Sequence, residues 1–559
     1  MDKEIQLSIP LSSYESLEKI HSPYTDNCDI RKYFEKKIKS KLPKFCRILK
    51  KSIDARHKQD IRVVISALFT DEPFEEELMN PDLAMFVRNT CSGDLRQKQD
   101  ETTSSEEADK GQKSRVVVCG SGPAGLFAAM TLLACGVPVI LLERGEDIDT
   151  RTSDVTRLKE EGILNIHSNV QFGEGGAGTF SDGKLFSGVS DGRKDLILRT
   201  FVRYGAPKSI LFDAHPHIGT DILRIVVKNM RKEIQKCGGQ VLFGRKMTDI
   251  GVRNGRVVSV THVASYNGGD AVTIPCRALI LAIGHSARDT FHMLAERNVD
   301  VESKPFAVGV RIEHRQESID RAQFGDCFES PVLHPANYKV VTATSTGRKL
   351  YSFCMCPGGE VVCGSSEEGG VVTNGMSEYA RDKENANSAM LVGCDESDFG
   401  SDGWDGGIVF QRELEKKAYV LGKGGYYAPA QRVGDFHAHR TTTAWGNVTP
   451  SYRPGVVMSN LWEILPHEIA KTIDEGLVLL QTKIRGFDDP DAVLTAVETR
   501  SSSPVRIRRD ERGESVSVAA LYPTGEGAGY AGGIMSSAID GIRQAEALIK
   551  RYFRTDMVE

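Results

Sequence analysis

Between Arg115 and Glu143 the chain carries no charged side chain, and the order of apolar and glycine positions inside that stretch divides it into elements. Val116–Cys119 is an unbroken apolar run of strand length. Gly120-Ser-Gly-Pro-Ala-Gly125 is a tight turn, Pro123 to Cys135 reads as a helix, and Gly136-Val-Pro138 leads into a second apolar run that ends at Glu143. Hydropathy alone would allow a membrane span, for which roughly 18 apolar residues suffice. The glycine and proline punctuation predicts a β-α-β unit with a G-x-G-x-x-G turn instead. In such a turn Gly120 permits the bend, Gly122 lets the backbone approach a pyrophosphate, and Gly125 lets the helix pack on the strand. Pro123 and Ala124 open a helix whose unpaired N–H groups face the phosphates. Glu143 stands 18 residues past Gly125, near the roughly 20 expected for a carboxylate that accepts from a ribose hydroxyl. Arg144 follows it directly.

The same patterning continues elsewhere. Ile30 to Leu42 has apolar residues at helical spacing, and Ile61 to Leu68 reads as a strand. Ser92 to Ser114 is polar and charged with almost nothing to bury. Ala278 to Ile283 is a buried strand ending at Gly284. Near the end, a strand from Leu521 runs into Gly525-Glu526 and then a glycine-rich helix start, Gly532-Gly533-Ile534, before an amphipathic helix from Met535 to about Tyr552.

Gly173-Glu-Gly-Gly-Ala-Gly178 formally repeats the glycine pattern, but no apolar strand precedes it and no helix is expected after it, so it is not a second nucleotide domain. It reads either as a mobile surface loop or as a cofactor loop. In the second case Gly175, Gly176 and Gly178 allow close backbone approach, while Thr179, Ser181 and Lys184 donate to phosphate. With no Cys-x4-Cys pair either, a pyridine-nucleotide:disulfide reductase is excluded.

These segments in this order resemble the FAD-binding oxidoreductases of glutathione-reductase type, with Ile283 departing from the usual Ala-Thr-Gly strand end. More closely, Asn169–Leu185, Gly284–Phe291, Tyr351–Gly359, Val497–Arg506 and the Gly525-Glu526 segment resemble a family of FAD-dependent dehydrogenases of bacteria and plastid-bearing eukaryotes. The likeness runs from about Asn27 to the end, the polar linker excepted. It implies FAD as cofactor, with Glu526 on the ribityl chain and the Gly532–Ile534 helix start at the flavin ring, and it implies no particular substrate. The fold expected is α/β with α+β insertions. Residues 1–92 form a small N-terminal α/β module of ferredoxin-like type, and 93–114 a disordered linker. A Rossmann-like FAD-binding domain occupies 115–300 and returns at 490–559, and 301–489 is an inserted substrate domain.

Composition narrows the picture. A chain of 559 residues holds two or three domains, and a net charge of −5 gives no global pull toward nucleic acid or anionic membrane. The N-terminus lacks an apolar leader, which reads as cytoplasmic, or as plastid if a presequence has been removed. The 12 cysteines are scattered without a Cys-x-x-Cys pair, as in a reducing compartment.

Chemistry is thinner. His285 can shuttle a proton. Arg288 either anchors an anion or caps the helix that starts there, and Arg500, with Arg506, either meets a carboxylate or phosphate or forms a surface ion pair. Cys354 and Cys356 suggest no metal, because a lone Cys-x-Cys is poor zinc chemistry, so no metal site is expected. The reading is an FAD-dependent oxidoreductase moving a hydride between the flavin and a small-molecule substrate. NAD(P)H or a protein electron partner docks only transiently. The alternative is a flavin-containing RNA-binding or RNA-modifying protein that uses the basic run from Arg31 to Arg62.

Overall fold

A computed structural model describes residues 3–17, 20, 28–72, 74, 115–181, 183–185, 188–266, 268–400 and 403–553. The expected linker lies outside the described residues. Strands β1 (Lys3–Pro10), β2 (Phe45–Asp54) and β3 (Arg62–Thr70) form an antiparallel sheet in the order β1-β3-β2, and the helix Cys28–Ile38 comes between the first two. Alternate residues of β3 (Val63, Ile65, Ala67, Phe69) are buried against Ile30, Phe34 and Phe212. The described residues therefore give a β-α-β-β module, and anything that would extend it toward a ferredoxin-like fold falls on residues outside the description.

The charge-free stretch becomes β4 (Val116–Cys119), the helix Pro123–Ala134 and β5 (Val139–Leu142). Four-residue strands that are apolar at every position are stable only when covered on both faces, and both are fully buried here. They pair in parallel with β6 (Gln240–Leu242), β10 (Ala278–Leu281) and β21 (Leu521–Pro523), in the order β21-β10-β4-β5-β6. The C-terminal helix Ile534–Tyr552 packs against Pro123–Ala134. An antiparallel layer of β7 (Arg245–Arg253), β8 (Arg256–Ala264) and β9 (Val272–Pro275) flanks this core.

Two strands, β11 (Val301–Ser303) and β20 (Val505–Ile507), pair where the chain leaves and re-enters this part. Between them lies an eight-stranded sheet of β12 (Phe306–Arg315), β13 (Val341–Ala343), β14 (Lys349–Cys363), β15 (Thr373–Met376), β16 (Asn385–Cys394), β17 (Ala428–Arg432), β18 (Val456–Met458) and β19 (Val493–Glu498). The return expected at 490 comes later. β19 sits inside the large sheet between β12 and β17, and the parallel sheet is rejoined at β21. An apolar run such as Val493–Val497 suits either sheet, so the pattern alone cannot choose between them.

A clamp in the large domain carries a pH signature. His437 ends the short helix Val433–His437, with Nδ1 2.6 Å from Asp474 and Nε2 2.8 Å from Asp488. Hydrogen bonds to Asp474 and then Asp488 raise its imidazole to about 9. A raised pKa stabilises the fold fully below the unfolded value and ceases to do so as pH rises through the folded value. His437→Gln is expected to cost about 1–3 kcal/mol near pH 6 and close to nothing near pH 10. Urea unfolding at both pH values checks this, and an equal loss at each would contradict it.

Candidate functional site

The first glycine turn closes against β10. Gly120 has φ +103°, and a Cβ there would lie 2.1 Å from the Ala282 carbonyl oxygen. A Cβ on Gly125 would lie 1.8 Å from the Gly120 oxygen. Gly122 differs: its φ of −70° is ordinary, and a Cβ would meet only Gly176 Cα, at 3.7 Å. Gly120 and Gly125 thus serve packing, while Gly122 keeps a cleft open. That cleft holds about 1320 Å³ including its open mouth and is lined by the turn, by Glu143 and Arg144, by the second glycine loop, and by segments of the large sheet and of the C-terminal return. Two helices begin at it, after Gly122 and after Gly533, and neither has a side-chain cap. Their first N–H groups and positive dipole ends are directed at one space, as an anionic ligand requires.

The second glycine loop is not a mobile surface loop. Buried Arg151 donates to the carbonyls of Asn169, Val170 and Glu174 at 2.6–3.0 Å, and Gly176 seats against Gly122. A one-turn helix, Gly178–Ser181, does follow the loop, contrary to expectation. Gly176, Gly178 and Ser181 line the cleft; Gly175, Thr179 and Lys184 do not. Thr179 Oγ1 is buried beside Gly175, and Lys184 Nζ lies 3.5 Å from the Cys354 sulfur. The loop folds its hydroxyl inward and carries its lysine to the opposite wall.

Glu143 lines the cleft with both oxygens engaged. One accepts from Ser121 N and Oγ at 2.8 and 2.7 Å, the other from Gly145 N and Gly173 N at 3.0 and 3.1 Å. Its first observable task is to tie the two glycine loops together, a role that spacing alone does not reveal. Arg144 lies 4.4 Å over the Phe172 ring and 2.7 Å from Asp289. Burial opposes charge on Asp289, yet Arg144 and Lys246 hold its carboxyl well below the usual range.

At the other end of the cleft stand Gly284, His285, Glu526, Gly533 and Ile534. Gly525 and Gly532 fall outside the lining; Gly525 N instead donates to Asp540 at 2.7 Å. Glu526 Oε1 is 3.2 Å from His285 Nδ1, and its other oxygen accepts from Gly533 N at 3.4 Å. A carboxylate at Nδ1 selects the tautomer protonated there. His285 Nε2 is then a buried acceptor, and it has no protein partner. This orphaned nitrogen, the two uncapped helix starts and the open space around Gly533 fit a bound dinucleotide such as FAD.

The remaining wall comes from the large sheet: Phe353 and Cys354 on β14, Asn374 on β15, Glu498 on β19, then Arg500 and Ser501. Arg311 on β12, wholly buried, donates to both Glu498 oxygens at 2.8 and 3.1 Å and also to Asn374 and the Cys354 carbonyl. Burial works against its charge, but Glu498 overrides this and lifts its pKa above the ordinary value. A bulge between Phe353 and Cys356 breaks strand alternation. Cys354 lines the cleft while Cys356 is wholly buried, and the two thiols stay within hydrogen-bonding reach of each other. The Cys354 thiol is pushed well above its ordinary value by Cys356 and by burial.

Two expected anion anchors are corrected. Arg288 is 1% exposed, lies outside this cleft, and is spent on Glu367, Glu415 and Gln411 at 2.6–2.9 Å. Arg500 reaches the cleft wall, but its guanidinium donates to Glu415 at 3.0 and 2.8 Å and to Ser366 at 2.5 Å. Arg506 makes the surface pair, 3.5 Å from Glu302. Sequence reasoning missed Glu498, Arg311, Asn374 and Phe353.

Comparison with known proteins gives the following. Residues 115–154 match the model of an FAD binding domain, and residues 305–501 that of the FAD-dependent protein, C-terminal domain-like family. A Clostridium beijerinckii protein described as uncharacterized is 45% identical over 507 residues, which is 90% of this chain and 92% of that one. Among solved structures, Bacillus halodurans glycerol-3-phosphate dehydrogenase complexed with FAD aligns at 12% identity and TM-score 0.32, over 80% of this chain and 68% of its own. Escherichia coli quinol fumarate reductase FrdA aligns at 11% and TM-score 0.33, over 80% and 72%. These matches give no support to the RNA-binding alternative. In the basic run, Arg31 is spent on the carbonyls of Leu42 and Lys44, and Arg56 and Arg62 on Asp54 and Asp60. Among the described residues no helix is long and apolar enough to cross a membrane.

Proposed function

The chain belongs to the FAD-dependent oxidoreductase family that carries this C-terminal domain, and from that premise we propose that it transfers a hydride between FAD and a small organic substrate bound against the large sheet. The observation that carries this reading is the shared cleft. The glycine turns of the FAD-binding part form one side, and Phe353, Asn374 and Glu498 of the C-terminal domain form the other. The flavin supplies the hydride chemistry when bound.

The protein's own residues have separable tasks. The turn at Gly122 and the helix starts after Gly122 and Gly533 would hold FAD through their backbone N–H groups. Glu526 fixes His285, whose Nε2 takes or returns the substrate proton. Arg311 keeps Glu498 oriented at the wall, where the carboxylate meets a substrate hydroxyl or ammonium. Phe353, 44% exposed, offers an apolar surface for the substrate body. NAD(P)H docks transiently over this cleft, because its stable binding would need a nucleotide fold of its own.

The experiment is anaerobic flavin reduction by a panel of alcohols, amines and hydroxy acids, followed by absorbance. His285→Asn is expected to keep its FAD and lose about 10²–10⁴-fold in substrate-driven reduction. Glu526→Ala is expected to retain FAD less well, since a charge-assisted hydrogen bond is worth about 1.5–3 kcal/mol. Full activity in His285→Asn would remove the proton-shuttle role. Rapid reduction by micromolar NADPH would contradict the transient docking.

A further inference from the structure

A second cavity lies behind the flavin loop. It encloses about 1460 Å³ including its open mouth. One wall is the helix Ile148–Glu161, through Val155 and Leu158; the other is the large sheet, through Val361 and Met376. Phe180, on the one-turn helix whose Gly178 and Ser181 face the flavin cleft, forms the floor. The two spaces are therefore separated by a single turn of chain.

Two guanidinium groups, Arg151 and Arg224, each lie 4.5 Å from the centre of the Phe180 ring. Their situations differ. Arg151 is wholly buried and spends its guanidinium on three carbonyls. Arg224, from the helix Thr220–Lys236, lines the cavity, and its Nε is buried with no partner. Glu378, which also lines the cavity, and Asp221 act on it through space; Asp221 accepts from Tyr379 N at 2.8 Å, and Glu378 lies 4.0 Å from Lys383, so neither supplies an acceptor to Nε. Lys383 and Arg453 stand at the mouth, and the Lys159–Glu360 pair closes on itself at 2.6 Å. Burial already lowers the pKa of Arg224. Glu378 and Asp221 favour its charge through space, but a buried N–H left without an acceptor is costly and gains when one arrives.

We propose that this cavity is a binding site for a small carboxylate with an apolar body, its carboxylate on Arg224 and its body against Val155, Leu158, Met376 and Phe180. The apolar walls favour such a molecule over inorganic phosphate, and the guanidinium favours it over a neutral analogue. This site is distinct from the flavin cleft and does not depend on the reaction assigned there.

The test is isothermal titration of the FAD-loaded protein with benzoate, benzamide and inorganic phosphate. Benzoate is expected to bind saturably at one site, with benzamide and phosphate at least about tenfold weaker. Arg224→Gln is expected to weaken benzoate by about tenfold or more with FAD content unchanged. Val155→Trp, which fills the cavity from the helix surface, is expected to abolish binding, and it decides the matter should Arg224→Gln fail to fold. Equal binding of benzamide, or benzoate binding that survives both substitutions, overturns the proposal; survival would put the ligand in the flavin cleft. Absence of saturable benzoate binding overturns it as well.

Discussion

A Gly122→Val protein is expected to fold with a near-normal melting temperature and to purify without FAD. Its backbone at 122 is in ordinary extended geometry, and a Cβ there meets only Gly176 Cα at an unstrained 3.7 Å. The branched methyls must then occupy the cleft in front of the helix Pro123–Ala134, where a pyrophosphate would approach the N–H groups. Loss of two such charge-assisted contacts, at about 1.5–3 kcal/mol each, weakens FAD by at least about 10²-fold. Gly120→Ala is the contrasting control. With φ at +103° and a Cβ 2.1 Å from the Ala282 oxygen, it forces β4 and β10 apart and is expected to give little folded protein. Flavin absorbance after gel filtration, read beside circular dichroism, separates the two results. A Gly122→Val protein that keeps its full complement of FAD would move the pyrophosphate away from this turn.

Why one half of the cleft was legible and the other was not follows from the two kinds of sheet. The parallel sheet announces itself locally: strand, turn, helix and strand lie within about thirty residues, and each fully buried strand is a short apolar run. Glu526 reaches the cleft from a comparable local signal, a strand end beside a helix start, whereas its neighbour Gly525 stays outside the lining. The large antiparallel sheet assembles its wall from β12, β14, β15 and β19, whose residues meet only through non-local pairing. Arg311 illustrates the difficulty. It sits in a strand buried at nine of ten positions, and nothing in its immediate neighbours points to Glu498, 187 residues away. The two misassigned arginines show a related limit, because residue type gives a charge without giving its partner. A signal was nevertheless present. Gln411 and Glu415 stand four apart on the helix Gly406–Leu421, on the face that also buries Ile408 and Ala418, and polar residues at core positions of an amphipathic helix imply buried partners.

Those partners set up the second large effect, at Glu415. Its carboxylate is wholly buried and accepts from Arg288 at 2.9 and 2.8 Å, from Arg500 at 3.0 and 2.8 Å, and from Thr499 Oγ1 at 2.8 Å. Burial alone would raise its pKa; Arg288 and Arg500 reverse that and hold it far below the usual carboxylate range. A depressed acid contributes stability above its unfolded pKa and loses it only as pH falls through the folded value, so the clamp persists through mild acid. Glu415→Gln keeps the size but turns an acceptor into a partial donor between two buried cations. Glu367, 2.6 Å from Arg288 but 3.8 Å from Arg500, relieves only the first of them. The expected cost is about 3–5 kcal/mol, the usual result of removing one member of a buried ion network. In a domain of this size that corresponds to a drop in melting temperature of order 10 °C. Replacing all three members with apolar residues, as in Arg288→Met, Glu415→Leu and Arg500→Met, is expected to restore most of that stability, because no buried charge is then left unpaired.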